Sequence, residues 1–392
     1  MTPRERVLVA LDHKEPDRVP ISFGGTSTTA IVESVPNGRT YTRLCEHLGI
    51  KNYDEPSISD VYNTVTNIDE RLQDYLGSDF RCISPNIPPP RNENDGTKTW
   101  EALCGYRIKR VGLYDEPFDF PFRAWTSKRD IAGYPCWPDA ASLSTVVIEG
   151  KKEEAENIRK GRTYAIVGDS YFSAFPFNAY SELSGMDKWL IDMKLNADFY
   201  FALSDKLLEI GLALNAKFFE AIGQYCDIAV IYDDLGTQQA TLMSRADYLK
   251  FVKPYTREII RNINSHSDAK ICMHSCGAIY DLIPDILELG VEILNPVQPL
   301  AKNMEPSRLK KEFGMDLCFF GGIDTQRLLP FSTPAMIDSQ VMETIQIYAP
   351  GGGYIFGPSQ SIQPDVPPEN TVAMYQAAKK YGTYPVRTCE RT

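Results

Sequence analysis

The chain has 392 residues, 43% hydrophobic and 24% charged, the balance of a folded globular protein and not of a disordered or fibrous one. With 41 Lys+Arg against 52 Asp+Glu its net charge is −11, which disfavours nucleic-acid backbones and anionic membranes as general partners. It has no apolar run of the roughly 18 residues a membrane span needs, no signal-peptide core at its start, and nine cysteines without repeated spacing. Reduced thiols and a cytoplasmic location are therefore expected.

Thr2–Asp12 reads as the first helix, with Pro3 in its opening turn and Glu5 completing a Thr-x-x-Glu capping box. Residues 17–28 read as a strand running into Gly24-Gly25. Residues 30–125 are mixed, with a Pro-rich Ile87-Pro-Pro-Pro and an alternating hairpin or meander over Lys98–Val111. Residues 139–162 read as one charged helix. Beyond 160 a regular rhythm sets in. Short apolar strands at 164–168, 228–232, 270–274, 292–295, 317–321 and 354–357 alternate with helices at 187–225, 245–264, 279–289, 306–313 and 334–348. Alternation of this kind predicts a parallel sheet covered on both faces.

Polar residues cluster where these strands end: Asp233 and Asp234, His274 and Cys276, Gln298, Asp324 and Gln360. An open sheet gathers its ligand contacts at one switch point, whereas a barrel brings every strand end to one mouth. The expected fold is thus α/β, a TIM (β/α)8 barrel with an elaborated N-terminal region. A single domain spans 1–392. Residues 1–160 supply helices and a meander that form part of the barrel or cover it, and 161–392 supply the regular βα units. No Gly-x-Gly-x-x-Gly or phosphate-binding loop follows a strand, which argues against dinucleotides and nucleoside triphosphates.

His274-Ser-Cys276 is the sharpest local signal, because residues i and i+2 of an extended chain point the same way. An imidazole and a thiolate are two of the three protein ligands a catalytic zinc uses, and simple packing of both is the competing reading. Cys272 shares their parity one step deeper and reads as core. Asp233 and Asp234 could act as acid and base or help bind a cation, or serve as a helix cap and its neighbour. Asp324 follows a glycine pair that admits close backbone approach, and Gln298 and Gln360 offer neutral hydrogen bonds. Tyr171, Phe172, Phe175, Phe177 and Tyr180 could wall a flat apolar ligand, or pack as an ordinary loop. Cys45, Cys82, Cys104, Cys136, Cys226 and Cys389 have no partner at metal-ligand spacing.

Several blocks together resemble the uroporphyrinogen decarboxylase superfamily, especially its corrinoid-dependent methyltransferases. They are Asp17-Arg-Val-Pro, Asp233-Asp-Leu-Gly-Thr-Gln, His274-Ser-Cys-Gly, Asn295-Pro-Val-Gln, Gly321-Gly-Ile-Asp and Pro364-Asp-Val-Pro-Pro-Glu-Asn. The resemblance implies a TIM barrel, zinc on His274 and Cys276, and a homodimer as a possible state. The decarboxylases carry an arginine-bearing block that grips substrate carboxylates. Here the corresponding stretch is Ile21-Ser-Phe-Gly-Gly-Thr-Ser, so a porphyrinogen is disfavoured. In the methyltransferase branch a third zinc ligand lies near the last strand. That position falls on Gln360, whose amide is a poor ligand, which leaves three alternatives: a weakly bound metal, a set completed by Asp233, Asp234 or Cys318, or no metal at all. The implied reaction moves a methyl group from a small, methoxylated aromatic substrate to the cobalt of a separate corrinoid protein, since the chain has no Asp-x-His-x-x-Gly block. The catalytic groups would be Asp233, Asp234 and Asp324, with Tyr171, Phe172, Phe175, Tyr180, Gln298 and Gln360 binding substrate. The alternatives are a decarboxylase acting on a smaller acid, and a methylcorrinoid-to-thiol or pterin methyltransferase.

Overall fold

Thr2 caps α1 (Pro3–Leu11) through both bonds of a capping box: its hydroxyl accepts from Glu5 N, and the Glu5 carboxylate accepts from Thr2 N. The computed structural model describes residues 1–33, 39–57, 64–100, 104–112, 114–161 and 163–386; Cys389 and residues 101–103 of the expected meander lie outside these. Helices α2 (Thr40–His47) and α3 (Glu70–Leu76) precede β1 (Phe80–Ile83). Next come β2 (Arg91–Asn92), β3 (Lys98–Trp100), β4 (Tyr106–Val111) and β5 (Tyr114–Asp119), which pair in that order as an antiparallel sheet. The meander is therefore present and extends to residue 119.

The charged stretch 139–162 is two helices. After α4 (Lys128–Ala132), α5 (Ala140–Ile148) ends at Glu149, and Gly150, with φ 74°, turns the chain into α6 (Lys151–Lys160). A positive φ at that point is open to glycine at little cost and ends the first helix. Then follow β6 (Ala165–Asp169), α7 (Phe177–Ser184), α8 (Met186–Leu195) and α9 (Ala197–Ile222). Non-helical Asn196 (φ −146°, ψ 55°) divides what the sequence reads as one helix over 187–225. The chain continues through β7 (Ile228–Tyr232), α10 (Arg245–Asp247), a π-helical turn and α11 (Lys253–Asn264) to β8 (Lys270–His274), α12 (Ile283–Leu287) and β9 (Ile293–Asn295). It ends with α13 (Pro306–Phe313), β10 (Cys318–Ile323), α14 (Leu328–Phe331), α15 (Pro334–Tyr348), β11 (Tyr354–Pro358) and α16 (Pro368–Tyr381).

Among the described residues seven strands, β1-β6-β7-β8-β9-β10-β11, form one curled parallel sheet. Seven strands, and not eight, carry the regular ladder. In the eighth place the segment Pro20–Ser22 joins the two edges: Phe356 N and Ser22 N pair it with β11, and Asp79 N donates to Ile21 O beside β1. Asp79 clamps this seam. Its carboxylate accepts from Arg6 (2.6 Å), Arg18 (2.8 and 2.9 Å) and Ile21 N (2.8 Å).

Two cores lie on the two faces of the sheet. Phe80, Val167, Ile228, Val230, Tyr232, Cys272, Ile293, Cys318, Phe320 and Ile355 fill the inside, and a larger cluster packs the outer helices onto the strands. Strands buried on both faces have to be apolar throughout, as Ile228-Ala-Val-Ile-Tyr is. Val7 and Leu11 of α1 join the inner cluster, and Cys318 Sγ lies 3.6 Å from Leu11 O. Helix α1 thus closes the N-terminal end of the sheet. Cys318 belongs to this floor and, at the start of its strand, is remote from the polar strand ends.

A candidate metal centre at the barrel mouth

The inward register of each strand continues past its last residue. Tyr232 faces inside, and so does Asp234; on β8 the inward positions are Cys272, His274 and Cys276. Asp234, His274 and Cys276 each offer one ligand atom, and these atoms all lie within 4.8 Å of one another. His274 Nε2 is 3.5 Å from Cys276 Sγ and 3.9 Å from Asp234 Oδ1, which also accepts from Cys276 N at 2.9 Å. Gly277 makes the turn possible: its φ is +84°, and a Cβ there would meet Thr237 O at 2.5 Å.

The remaining ring nitrogen of His274 is held from behind. Nδ1 is 2.7 Å from Asn295 Oδ1 and 3.0 Å from Thr28 Oγ1. Asn295 Nδ2 donates to Phe320 O, so the amide presents its oxygen to the ring. This network assigns the proton to Nδ1 and leaves the Nε2 lone pair facing the sulfur and the carboxylate. Burial, reinforced by Asp234, pushes the Cys276 thiol well above its usual range. A divalent cation reverses that balance by stabilising the thiolate. One nitrogen, one sulfur and one carboxylate oxygen at an open strand end match the donor set of a catalytic zinc, three protein ligands with a position to spare.

Gln360 reaches this group in another role. Its Oε1 accepts from Ser361 N (2.9 Å), so Nε2 points at Cys276 Sγ (3.4 Å) as a donor. The segment after the seam lies over the same mouth. Ser27 N donates to Asp169 Oδ2 (2.7 Å), Ser27 Oγ is 2.9 Å from the Tyr232 hydroxyl, and that hydroxyl donates to Asp169 Oδ1. The Tyr232 ring lies 5.4 Å from His274. Burial raises the Asp169 carboxyl against the opposing pull of these two hydrogen-bond partners.

The expected carboxylate pair is split. Asp233 points outward, accepts from Thr256 Oγ1 (2.6 Å), and faces a small cavity lined by Phe175, Trp189, Tyr200 and Tyr255. Neighbours on an extended chain alternate sides, which is why only Asp234 joins the triad. Asp324 is occupied as a turn cap, its oxygens accepting from the backbone N–H groups of Gln326, Arg327 and Leu328 at 2.8–3.0 Å. Gln298 Oε1 ties Gln238 (2.8 Å) to Gly277 N (3.0 Å) and braces the loop under the triad. Phe172, Phe175 and Tyr180 are core: Phe175 presses on Gly211 of α9, and Tyr180 stacks on Tyr200 while donating to Asp192. Their rings gain more from burial against α9 than from facing the mouth. Tyr171 is equally buried, with its hydroxyl donating to Glu182 (2.6 Å). Asp169, Asn295, Thr28 and Glu182 carry no expected role in the sequence reading. Asp169 was within reach of the strand-end rule, since β6 ends on it and not on Gly168.

An α/β protein with a parallel sheet curled around an inner core, and a nitrogen–oxygen–sulfur triad at the ends of its strands, is the class defined by this geometry. The uroporphyrinogen decarboxylase family model matches residues 170–381, and the chain belongs to that family. A uroporphyrinogen decarboxylase of Geobacter metallireducens is 25% identical over 182 residues, 46% of this chain and 49% of that protein. One from Coxiella burnetii is 22% identical over 185 residues, 47% of this chain and 48% of its own length. The chain thus spans about half the length of these relatives. A solved structure described as a methyltransferase from Methanosarcina mazei shares the fold, with a TM-score of 0.67 and 18% identity, covering 97% of this chain and 99% of that one. No helix among the described residues is long and apolar enough to cross a membrane.

Proposed function

We propose that the protein is a methyltransferase that holds zinc on Asp234, His274 and Cys276 and moves a methyl group from a methoxylated aromatic compound to the cobalt of a separate corrinoid protein. The observation that carries this reading is the triad itself, with His274 fixed in one tautomer by Asn295 and its free nitrogen aimed at a thiol and a carboxylate. When bound, zinc supplies Lewis acidity at the ether oxygen, where charge develops as the methyl group leaves. The chain's own groups do the rest. Asn295 and Thr28 keep the His274 proton on Nδ1, and Gln360 gives an N–H to the Cys276 sulfur. Tyr232 presents a hydroxyl held by Asp169 and Ser27 at the same level of the barrel.

The family match favours decarboxylation as a second reading. That chemistry needs cationic groups for a substrate's carboxylates, whereas the segment over the mouth brings the hydroxyls of Ser27 and Thr28. Metal analysis and a cob(I)amide methylation assay separate the two. The expected result is about one zinc per chain, lost in Cys276→Ala together with methylcobamide formation from a methoxylated donor. Absence of zinc from the unmutated protein, or carbon dioxide release without methylation, would overturn the reading.

A further inference from the structure

A second cavity, of about 1060 Å³, lies away from the triad, between α13 and α15. Its size is at the upper end of the ~300–1,000 Å³ that small-molecule sites span. One wall is Pro299-Leu300, which follows directly on Gln298, and the opposite wall is α15 from Ser339 to Ile347. Gly322 of β10 opens the floor. Its φ is +91°, and a Cβ there would lie 3.4 Å from the Tyr348 ring and 3.6 Å from the Thr344 methyl group, in space that Gly322 leaves to the cavity.

The lining is aliphatic. Leu300, Leu328, Met342 and Ile347 contribute, and no aromatic ring lines the cavity among the described residues. Flat ligands are gripped by offset or edge-on contacts with other rings. A flexible alkyl chain is better matched by leucine, isoleucine and the adaptable methionine thioether. Leu300 is 45% exposed, so this apolar wall is open to a ligand from solvent.

Three charged side chains line the same space: Asp324, Glu343 and Arg327. Asp324 is spent on three backbone N–H groups, one of them that of Arg327 itself (3.0 Å), and Glu343 accepts from Gln340 Nε2 at 3.5 Å. The Arg327 backbone is thereby fixed, while its guanidinium has no hydrogen-bond or ion-pair partner among the described residues.

We propose that this cavity binds one aliphatic carboxylate of the fatty-acid type, with its alkyl chain between α13 and α15 and its head group on Arg327. A guanidinium takes a carboxylate through two parallel N–H bonds. A single cation in a chain of net charge −11 suits one free anion and not the anionic surface of a membrane. The cavity shares no residue with Asp234, His274 and Cys276, so the proposal is independent of the reaction assigned to them.

The test is calorimetric titration of the full chain with decanoate, 1-decanol and 4-methoxybenzoate, each kept below its aggregation limit. Decanoate should bind once per chain. Arg327→Gln should weaken decanoate about tenfold, the worth of one hydrogen bond to a charged group, and change 1-decanol by less than about twofold. Ser307→Trp, at an exposed position on α13 that lines the cavity, should weaken both alkyl ligands, and Cys276→Ala should weaken neither. 4-Methoxybenzoate should not compete with decanoate. Absence of saturable decanoate binding overturns the site, and so does binding that survives both Arg327→Gln and Ser307→Trp or is lost in Cys276→Ala. A loss in Ser307→Trp alone overturns the role of Arg327, and competition by 4-methoxybenzoate overturns the aliphatic class.

Discussion

Asn295 decides which nitrogen of His274 is free, and so whether the triad has two strong donors or one. Replacing it with leucine removes the acceptor for Nδ1–H and lets the ring rotate or change tautomer. Outer-shell partners of this kind are typically worth about 10–100-fold in metal affinity. Asn295→Leu is expected to show that loss in competition with a chromophoric chelator, with little change in the circular-dichroism spectrum. The same residue marks the limit of sequence reading. His274 and Cys276 announce themselves by their i, i+2 spacing on a strand, whereas Asn295 acts from the neighbouring strand, 21 positions away, through a contact that only the fold creates. Asp233 and Asp234 are indistinguishable as a pair until the register of β7 assigns each a side.

Among the elements, the strands after residue 160 were legible because burial on both faces demands unbroken apolar runs. β1 was not. Its four residues, Phe-Arg-Cys-Ile, include an arginine, which the fold accommodates by pairing Arg81 with Glu70 and laying its guanidinium over Tyr164. The adjoining segment Pro20–Ser22 has too few ladder bonds to form a regular strand and depends on the clamp at Asp79. Removing that carboxylate takes the buried partner from Arg18 and from one arm of Arg6, which keeps Asp17 on its other side (2.7 and 2.8 Å). Asp79→Ala should therefore destabilise the protein by about 3–5 kcal/mol, the usual cost of breaking a buried ion pair, read as a lowered urea midpoint. The helix breaks at Gly150 and Asn196 escaped the sequence reading because hydrophobic periodicity continues across both.

The whole molecule stores carboxyl groups that prefer to be neutral. Burial pushes Asp233 up to about 7, and its nearness to Asp234 adds to this. In the unfolded chain the same group ionises near 4. Between those values the native state holds a proton that the unfolded state has lost, so this contribution to stability falls as pH rises from about 4 to about 7 and is level above. Asp233→Asn keeps an acceptor for Thr256 and carries no charge. It should raise stability at pH 8 by something on the order of 2–4 kcal/mol and have little effect near pH 4, as a comparison of melting curves at the two pH values would show. The strand-end rule singles out Asp233 but not its raised carboxyl, and Glu182, which burial also pushes up, not at all, because nothing local records how much protein will surround a side chain.

Helix α1, with Val7 and Leu11 pressed into the inner core, closes the N-terminal end of the sheet and leaves the polar strand ends at the opposite end, among the described residues. On the proposed reaction, substrate, product and the corrinoid partner would all meet the triad from that opposite end, and the partner would have to stand over it to receive the methyl group. On that reading the order of traffic would be fixed: the methyl donor would enter first, the partner would dock over it, and the demethylated product would stay confined until the partner departed. Turnover on such a scheme would be paced by the lifetime of a protein–protein encounter, and a partner that bound too tightly would act as an inhibitor.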